Sequence, residues 1–299
     1  MEYLYSNARD AWLRRFRNWL LFFIVVLIWS SNWAVMKSGL SYAEPLTFVF
    51  HRFLISSLFL SPTIILLSKK IPRERGDLAR LLLLGVINAF GILLTNMGLV
   101  GEKSGLSAVV TYTQPLFVFC MAVPLLDEKA SIDKVLGIII GFLGVVAISA
   151  RGKTFFSSLT SSILFLLLGA FLWAVSTVYY KKFLSHVEPI IANVFQLGFG
   201  AVLLGLISAS PGKLYFPAST DYLLTVLYAS IGASAIAFTI WIQLLREEEA
   251  TVLSSSSLVV PMVALFFGWL LLGETVDLQS LVGAILVISG VYLVNRAGC

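Results

Sequence analysis

The sequence predicts an all-α integral membrane protein, with ten transmembrane helices forming two inverted five-helix repeats. Three observations carry that reading. Hydrophobic residues fill 59% of the 299 positions and charged residues 12%, about half the roughly 25% usual for soluble domains. Apolar runs near the roughly 20 residues needed to cross a bilayer recur at ten places along the chain. The second half of the chain also repeats the first at an almost constant offset.

The first run, 19–36, follows a basic tail over 1–18; it is too long for a signal-peptide core, and no small-residue cleavage site follows. Helices two to five are read over 45–67, 80–100, 105–125 and 133–150, so that 19–150 is the first repeat. Helices six to ten are read over 160–180, 189–209, 222–244, 251–271 and 279–295, so that 160–295 is the second. The short connections leave no room for a soluble catalytic domain, which places the function within the membrane.

Charge sets the expected orientation. With a cytoplasmic N-terminus, one side collects fifteen cations: Arg9, Arg14, Arg15, Arg17, Lys69, Lys70, Arg73, Arg75, Arg80, Lys129, Lys134, Lys181, Lys182, Arg246 and Arg296. The other side holds five, Lys37, Lys103, Arg151, Lys153 and Lys213, and Arg52 alone falls within a span. The positive-inside rule then predicts a multi-pass protein of the cytoplasmic membrane with both termini in the cytoplasm. The basic residues form no aromatic-basic stripe, so the formal charge of +5 does not indicate a nucleic-acid partner. Cys120 lies in an apolar run and Cys299 is the last residue, a pattern that predicts no disulfide, metal or other cofactor.

Shifting the chain by 144 residues lays Lys37-Ser-Gly-Leu-Ser-Tyr-Ala-Glu-Pro45 over Lys181-Lys-Phe-Leu-Ser-His-Val-Glu-Pro189, with five of nine positions identical and Trp29 on Trp173. At 146, Pro115 meets Pro261, Leu125-Leu126-x-Glu128 meets Leu271-Leu272-x-Glu274, and Gly137 and Gly144 meet Gly283 and Gly290. A two-residue insertion in the loop region after helix seven accounts for the change of offset. Five helices is an odd number, so the second repeat enters the bilayer from the opposite side. Inverted repeats are a recurring basis of alternating access, because exchanging the conformations of the halves turns an inward-open form into an outward-open one.

These features, together with Trp29-Ser-x-Asn32-Trp33, Glu44-Pro45 ahead of Arg52-Phe53, and Leu-Leu-Gly-Glu274 followed by spaced glycines, resemble the drug/metabolite transporter superfamily, nearest its EamA-like branch. The resemblance covers the whole chain. It implies a basket of helices around a cavity and alternating-access transport of a small metabolite, an amino acid or related amphiphilic compound, by export or facilitated exchange. Drug efflux, lipid scrambling and a structural membrane role are the alternatives. An intramembrane enzyme is disfavoured, since no H-E-x-x-H occurs and His51 and His186 lie in different halves.

Polar side chains recurring at helical spacing mark faces turned from lipid. Helix one offers Trp29, Asn32, Trp33 and Met36; helix six offers Trp173, Ser176, Thr177 and Tyr180. Helix three adds Asn88 and Thr95, helix eight Ser234 and Trp241, helix four Ser107, Thr111 and Gln114, and helix nine the run Ser254 to Ser257. The expected substrate-binding set is Trp29, Asn32, Trp33, Asn88, Thr95, Thr111, Gln114, Trp173, Thr177, Trp241 and Ser257; helix packing is the competing use of the same faces. Arg52 and His51 are candidates for charge contact or coupling. Pro115 and Pro261 are expected to kink their helices and to free the carbonyls of Thr111 and Ser257. No acid falls deep in a span, which disfavours a carboxylate proton relay, and Glu128 and Glu274 suit loops or helix starts. The glycines of helices five and ten suit close contact, either inside the bundle or across a homodimer. Beyond that, the expected partners are a small-molecule substrate and the lipid bilayer.

Overall fold

A computed structural model describes residues 2–68, 71–150, 160–208, 215–275 and 278–296, with side chains omitted for residues 2–12, 145, 148–150, 280, 291 and 295. Lys69, Lys70, Arg151, Lys153, Lys213, Cys299 and the side chain of Arg9 therefore lie outside the described residues. The helices are α1 (Glu2–Gly39), α2 (Pro45–Leu66), α3 (Arg75–Gly101), α4 (Ser104–Leu126), α5 (Ile132–Ala150), α6 (Ser161–Phe183), α7 (Pro189–Ile207), α8 (Thr220–Glu247), α9 (Ala250–Leu272) and α10 (Leu278–Arg296). Eight are long and apolar enough to cross a bilayer on the described residues alone; α5 and α10, of 19 residues each, complete the ten.

Matching chemistry opens and closes corresponding helices. Glu44-Pro45 and Glu188-Pro189 start α2 and α7, with proline in the first turn where its missing N–H costs nothing. At the other end of the repeat, α4 stops at Asp127 (φ 56°) and α9 at Gly273 (φ 64°), both left-handed and one repeat apart. That turn projects the next residue, Glu128 or Glu274, back across the bundle.

The structure departs from the expected spans in four helices. α1 is helical through the basic tail, with Leu13–Gly39 as its membrane-compatible part. α4 is two pieces, Ser104–Thr111 and Gln114–Leu126, and α9 is Ala250–Ser256 and Val259–Leu272, so the residues before Pro115 and Pro261 break the helix rather than merely bend it. The carbonyl of Ser257, expected to be free, accepts from the Val260 N–H at 2.8 Å. α8 contains a π-helix over Tyr228–Ala237. Asp77 and Asn88 are eleven residues apart in α3, whereas Asp221 and Ser234 are thirteen apart in α8. The wider π coil can take up two residues inside α8, so the insertion expected in the loop after helix seven has a place within the helix itself.

The halves interleave. The most extensive packing pairs α5 with α10, α3 with α6, α4 with α6, α1 with α8 and α4 with α9, each joining helices of different halves. Glycines allow the closest of these approaches. A methyl at Gly137 would stand 2.5 Å from the Gly290 carbonyl oxygen, and one at Gly144 the same distance from that of Gly283. The glycine faces of α5 and α10 are thus used within the chain, and a homodimer would have to use another surface. Outside, Leu58, Phe59, Leu82, Phe90, Leu168, Val202, Leu224 and Leu270 are exposed, as a lipid-facing belt requires. Cys120 is free and exposed on this apolar surface.

Candidate functional site

Two lysines define the ends of the bundle. Lys37 donates to the carbonyls of Leu99 and Val100 at the C-terminal end of α3, each at 2.9 Å; its repeat mate Lys181 donates to that of Leu245 at the end of α8, at 2.7 Å. The mates of Leu99 and Val100 are Leu245 and Arg246. Each lysine therefore binds the third helix of its own half, and the two stand at opposite membrane faces.

The carboxylates cross between halves. Glu274 accepts from the Ser104 N–H at 2.7 Å, the Gly105 N–H at 3.2 Å and the Ser104 hydroxyl at 3.0 Å, capping α4. Glu128 accepts from the N–H groups of Ala250 at 2.7 Å and Thr251 at 3.1 Å, capping α9. Charge and the unpaired amides of a helix start attract one another, so each half holds the broken helix of the other.

Between these ends lies an aromatic cluster. Trp29 packs on Trp173 with ring centres 5.5 Å apart at 83°, on Phe238 at 5.3 Å and on Trp241 at 5.2 Å; Trp173 also meets Tyr112 at 5.3 Å and Trp241 at 6.1 Å. The first pair joins repeat mates, one from each half. On the Lys37 side is a chamber of about 60 Å³ lined by Trp29, Asn32, Trp33, Met36, Arg52, Asn88, Thr95, Asn96, Thr111, Tyr112, Trp173 and Phe238. On the Lys181 side is a second, of about 20 Å³, lined by Asn88, Trp173, Ser176, Thr177, Tyr180, Gln196, Phe238 and Trp241. Together they have room for a few water molecules.

Polar groups around the cluster fall into mated sets. Arg52 Nε donates to the Ser234 hydroxyl at 2.6 Å, and Asn88 donates its amide N–H to Gln196 Oε1 at 2.5 Å. Residues 52 and 196 are repeat mates, as are 88 and 234. The Gln196 side is closed further by its bond to Asn193 Oδ1 at 2.7 Å. Asn193 also donates to the carbonyls of Ser234 and Ala235 in the π-helix, while Trp29 Nε1 donates to that of Ala233 at 3.1 Å and the Ser56 hydroxyl to that of Ser230 at 2.9 Å. Side chains of three helices thus read carbonyls of the widened coil.

Of the expected binding residues, Trp29, Asn32, Trp33, Asn88, Thr95, Thr111 and Trp173 line the first chamber, and Thr177 and Trp241 the second. Gln114 lies past the break in α4 and reaches only Thr177, at 3.4 Å, while Ser257 is buried with its hydroxyl on the Ser254 carbonyl; neither lines a chamber. His51 is also away from both, hydrogen-bonded through Nδ1 to the Tyr222 hydroxyl at 2.8 Å and stacked near Phe216. Asn96, Tyr112, Gln196 and Phe238 were missed. Two were within reach of the sequence, Gln196 as the mate of Arg52 and Phe238 one turn before Trp241.

The EamA-like transporter family matches residues 17–150 and again 160–296. The chain belongs to that family. It is a membrane transporter of the drug/metabolite type and not an enzyme. The transporter is 27% identical over 278 residues to YoaV, an uncharacterized transporter of Bacillus subtilis, covering 90% of this chain and 93% of that one. It is also 27% identical over 283 residues to a probable amino-acid metabolite efflux pump of Salmonella typhimurium, covering 90% and 92%. A crystal structure with 19% identity shares the fold at a TM-score of 0.75, covering 93% of this chain and 96% of the other.

Proposed function

We propose that this transporter moves an amino acid or a related amphiphilic metabolite across the cytoplasmic membrane by alternating access, by export or facilitated exchange, with both termini in the cytoplasm. The observation that carries the reading is the meeting of Trp29 and Trp173, repeat mates from opposite halves, between two small chambers displaced toward the Lys37 and Lys181 ends of the bundle. A barrier to which both halves contribute parts on one side or the other as the halves rock, without a continuous pore. The name of the Salmonella relative supports the amino-acid class.

The wall chemistry suits such a solute. Trp29, Trp33, Met36, Trp173 and Phe238 supply apolar surface, and Asn32, Asn96, Thr111 and Arg52 supply polar groups. A solute of this size needs more than about 60 Å³, so binding goes with separation of the rings. Among the described residues no carboxylate lines either chamber, which supports facilitated or exchange transport over a buried acid relay. Counterflow into proteoliposomes loaded with a mixed amino-acid pool tests the assignment. Saturable, competable uptake of a labelled member, weakened by Trp29→Ala and Trp173→Ala, is expected. Folded protein that carries no amino acid but does carry lipophilic cations would move the reading to drug efflux.

A further inference from the structure

Arg52 is 2% exposed and has no ion-pair partner among the described residues. Its Nε is taken by Ser234 and its Nη1 approaches the Met36 thioether at 3.1 Å, a weak acceptor. Among the described residues, the Arg52 hydrogen bonds run through Nε and Nη1 and none through Nη2. A buried guanidinium without a counter-ion is costly, and one lining a chamber is relieved by an anion entering it.

Around the same chamber the unmet groups include two amide oxygens, one hydroxyl and the Trp173 indole N–H. Asn32 Oδ1, Asn96 Oδ1 and Thr111 Oγ1 are buried without a partner. Asn96 is oriented by its own N–H on the Ile92 carbonyl at 2.8 Å, which turns its oxygen away from the helix. Asn32 precedes Met36 by four residues, so its Cα stands about 6 Å along α1 from that of the methionine whose thioether touches Arg52. A cation with free donors near amide oxygens with free lone pairs matches a ligand bearing an anionic and a cationic group a few bonds apart.

We propose that Arg52 is the specificity-determining residue of this transporter: it takes the carboxylate of a free α-amino acid, while the Asn32 and Asn96 oxygens take its ammonium. This rests on the amino-acid reading above and narrows it to solutes with an unblocked carboxylate. The mated position makes the contrast, because Gln196 is neutral and already satisfied by Asn88 and Asn193. One guanidinium matches one monoanion; a phosphate dianion would leave charge unpaired.

The test uses the full-length purified protein and its own tryptophan fluorescence, titrated with L-leucine, 4-methylpentanoate, 3-methylbutylamine and leucine methyl ester. Leucine should bind most tightly and 4-methylpentanoate next. The ester and amine, lacking a carboxylate, should bind about 10- to 100-fold more weakly than leucine, the ratio expected for a charge-assisted pair. Arg52→Gln should erase that discrimination while leaving ester binding within about twofold. Amine or ester binding as tight as leucine in the wild type, which needs no variant to fold, overturns the proposal, as does unchanged leucine binding in Arg52→Gln. Arg52-dependent carboxylate binding by protein that carries no amino acid in liposomes would remove the amino-acid carrier reading and leave this site standing. Equal half-saturation for leucine and its ester in transport would do the reverse.

Discussion

Replacing Glu274 by alanine removes the cap that ties the second half to α4. The carboxylate accepts two backbone amides, of Ser104 and Gly105, and the Ser104 hydroxyl. Ser104 is fully buried, and an unsatisfied buried donor costs about 1–3 kcal/mol. The hydroxyl can turn to another acceptor, and water can follow the partly exposed glutamate, so the two amides set the scale at about 2–4 kcal/mol. At about 2–4 °C per kcal/mol for chains approaching this size, thermal unfolding in detergent should fall by about 4–16 °C, followed by tryptophan fluorescence. Glu274→Gln keeps an acceptor without the charge and should lose about half as much. Glu128→Ala frees two amides of α9 and no hydroxyl, so it should cost slightly less than Glu274→Ala. The two caps lie at opposite membrane faces, and the double variant should show the sum. A midpoint for Glu274→Ala within about 1 °C of the wild type would refute the capping argument, and a double variant no worse than either single one would refute the independence of the two ends.

Other expectations follow from close contacts. Gly290→Ala places a methyl 2.6 Å from the Gly141 nitrogen and should destabilise the α5–α10 pair by about 1–3 kcal/mol; Gly76→Ala, which meets nothing within 4 Å, should leave the unfolding midpoint unchanged. Asn193→Ala removes bonds to the Ser234 and Ala235 carbonyls and the Thr239 hydroxyl, and should lower stability by about 2–3 kcal/mol while speeding amide hydrogen exchange across 228–237. Trp173→Ala removes ring contacts with Trp29, Tyr112 and Trp241 and joins the two chambers. Loaded liposomes carrying that variant should leak small solutes without a counter-substrate, and leak at the wild-type level would mean the barrier lies elsewhere.

The inverted-repeat architecture gives these parts a common logic. Each half keeps its own lysine-to-carbonyl bond, at Lys37 or Lys181, and hands one carboxylate to the other half. Under the proposed alternating access, the bonds within a half would move with it as a body, whereas the caps between halves would have to accommodate the rocking. The mated positions are alike in geometry but not in chemistry, with Arg52 facing one chamber and Gln196 the other. The two chambers therefore present different chemistry at mated positions.

The spans and the repeat were legible in the sequence because the bilayer imposes its demand locally: every crossing segment must be apolar and satisfy its own backbone bonds, whichever neighbours it later meets. Trp29 and Trp173 could be paired by offset alone. Neighbours could not, because a lipid tail and a leucine are equally apolar, so hydropathy does not say which face touches protein. The interleaving of the halves, the partners of Glu128 and Glu274, and the use of the α5 and α10 glycines within one chain were decided by tertiary packing. Counting by helical turns also fails where the helix does: the face read through Ser107, Thr111 and Gln114 loses its phase at Tyr112–Thr113, so Thr111 lines a chamber and Gln114 does not. The π-helix likewise depends on Asn193, Ser56 and Trp29 reaching its carbonyls from three other helices. A residue's type and its place along a helix are properties of the sequence, but its rotation about the helix axis is set by what the rest of the chain packs against it.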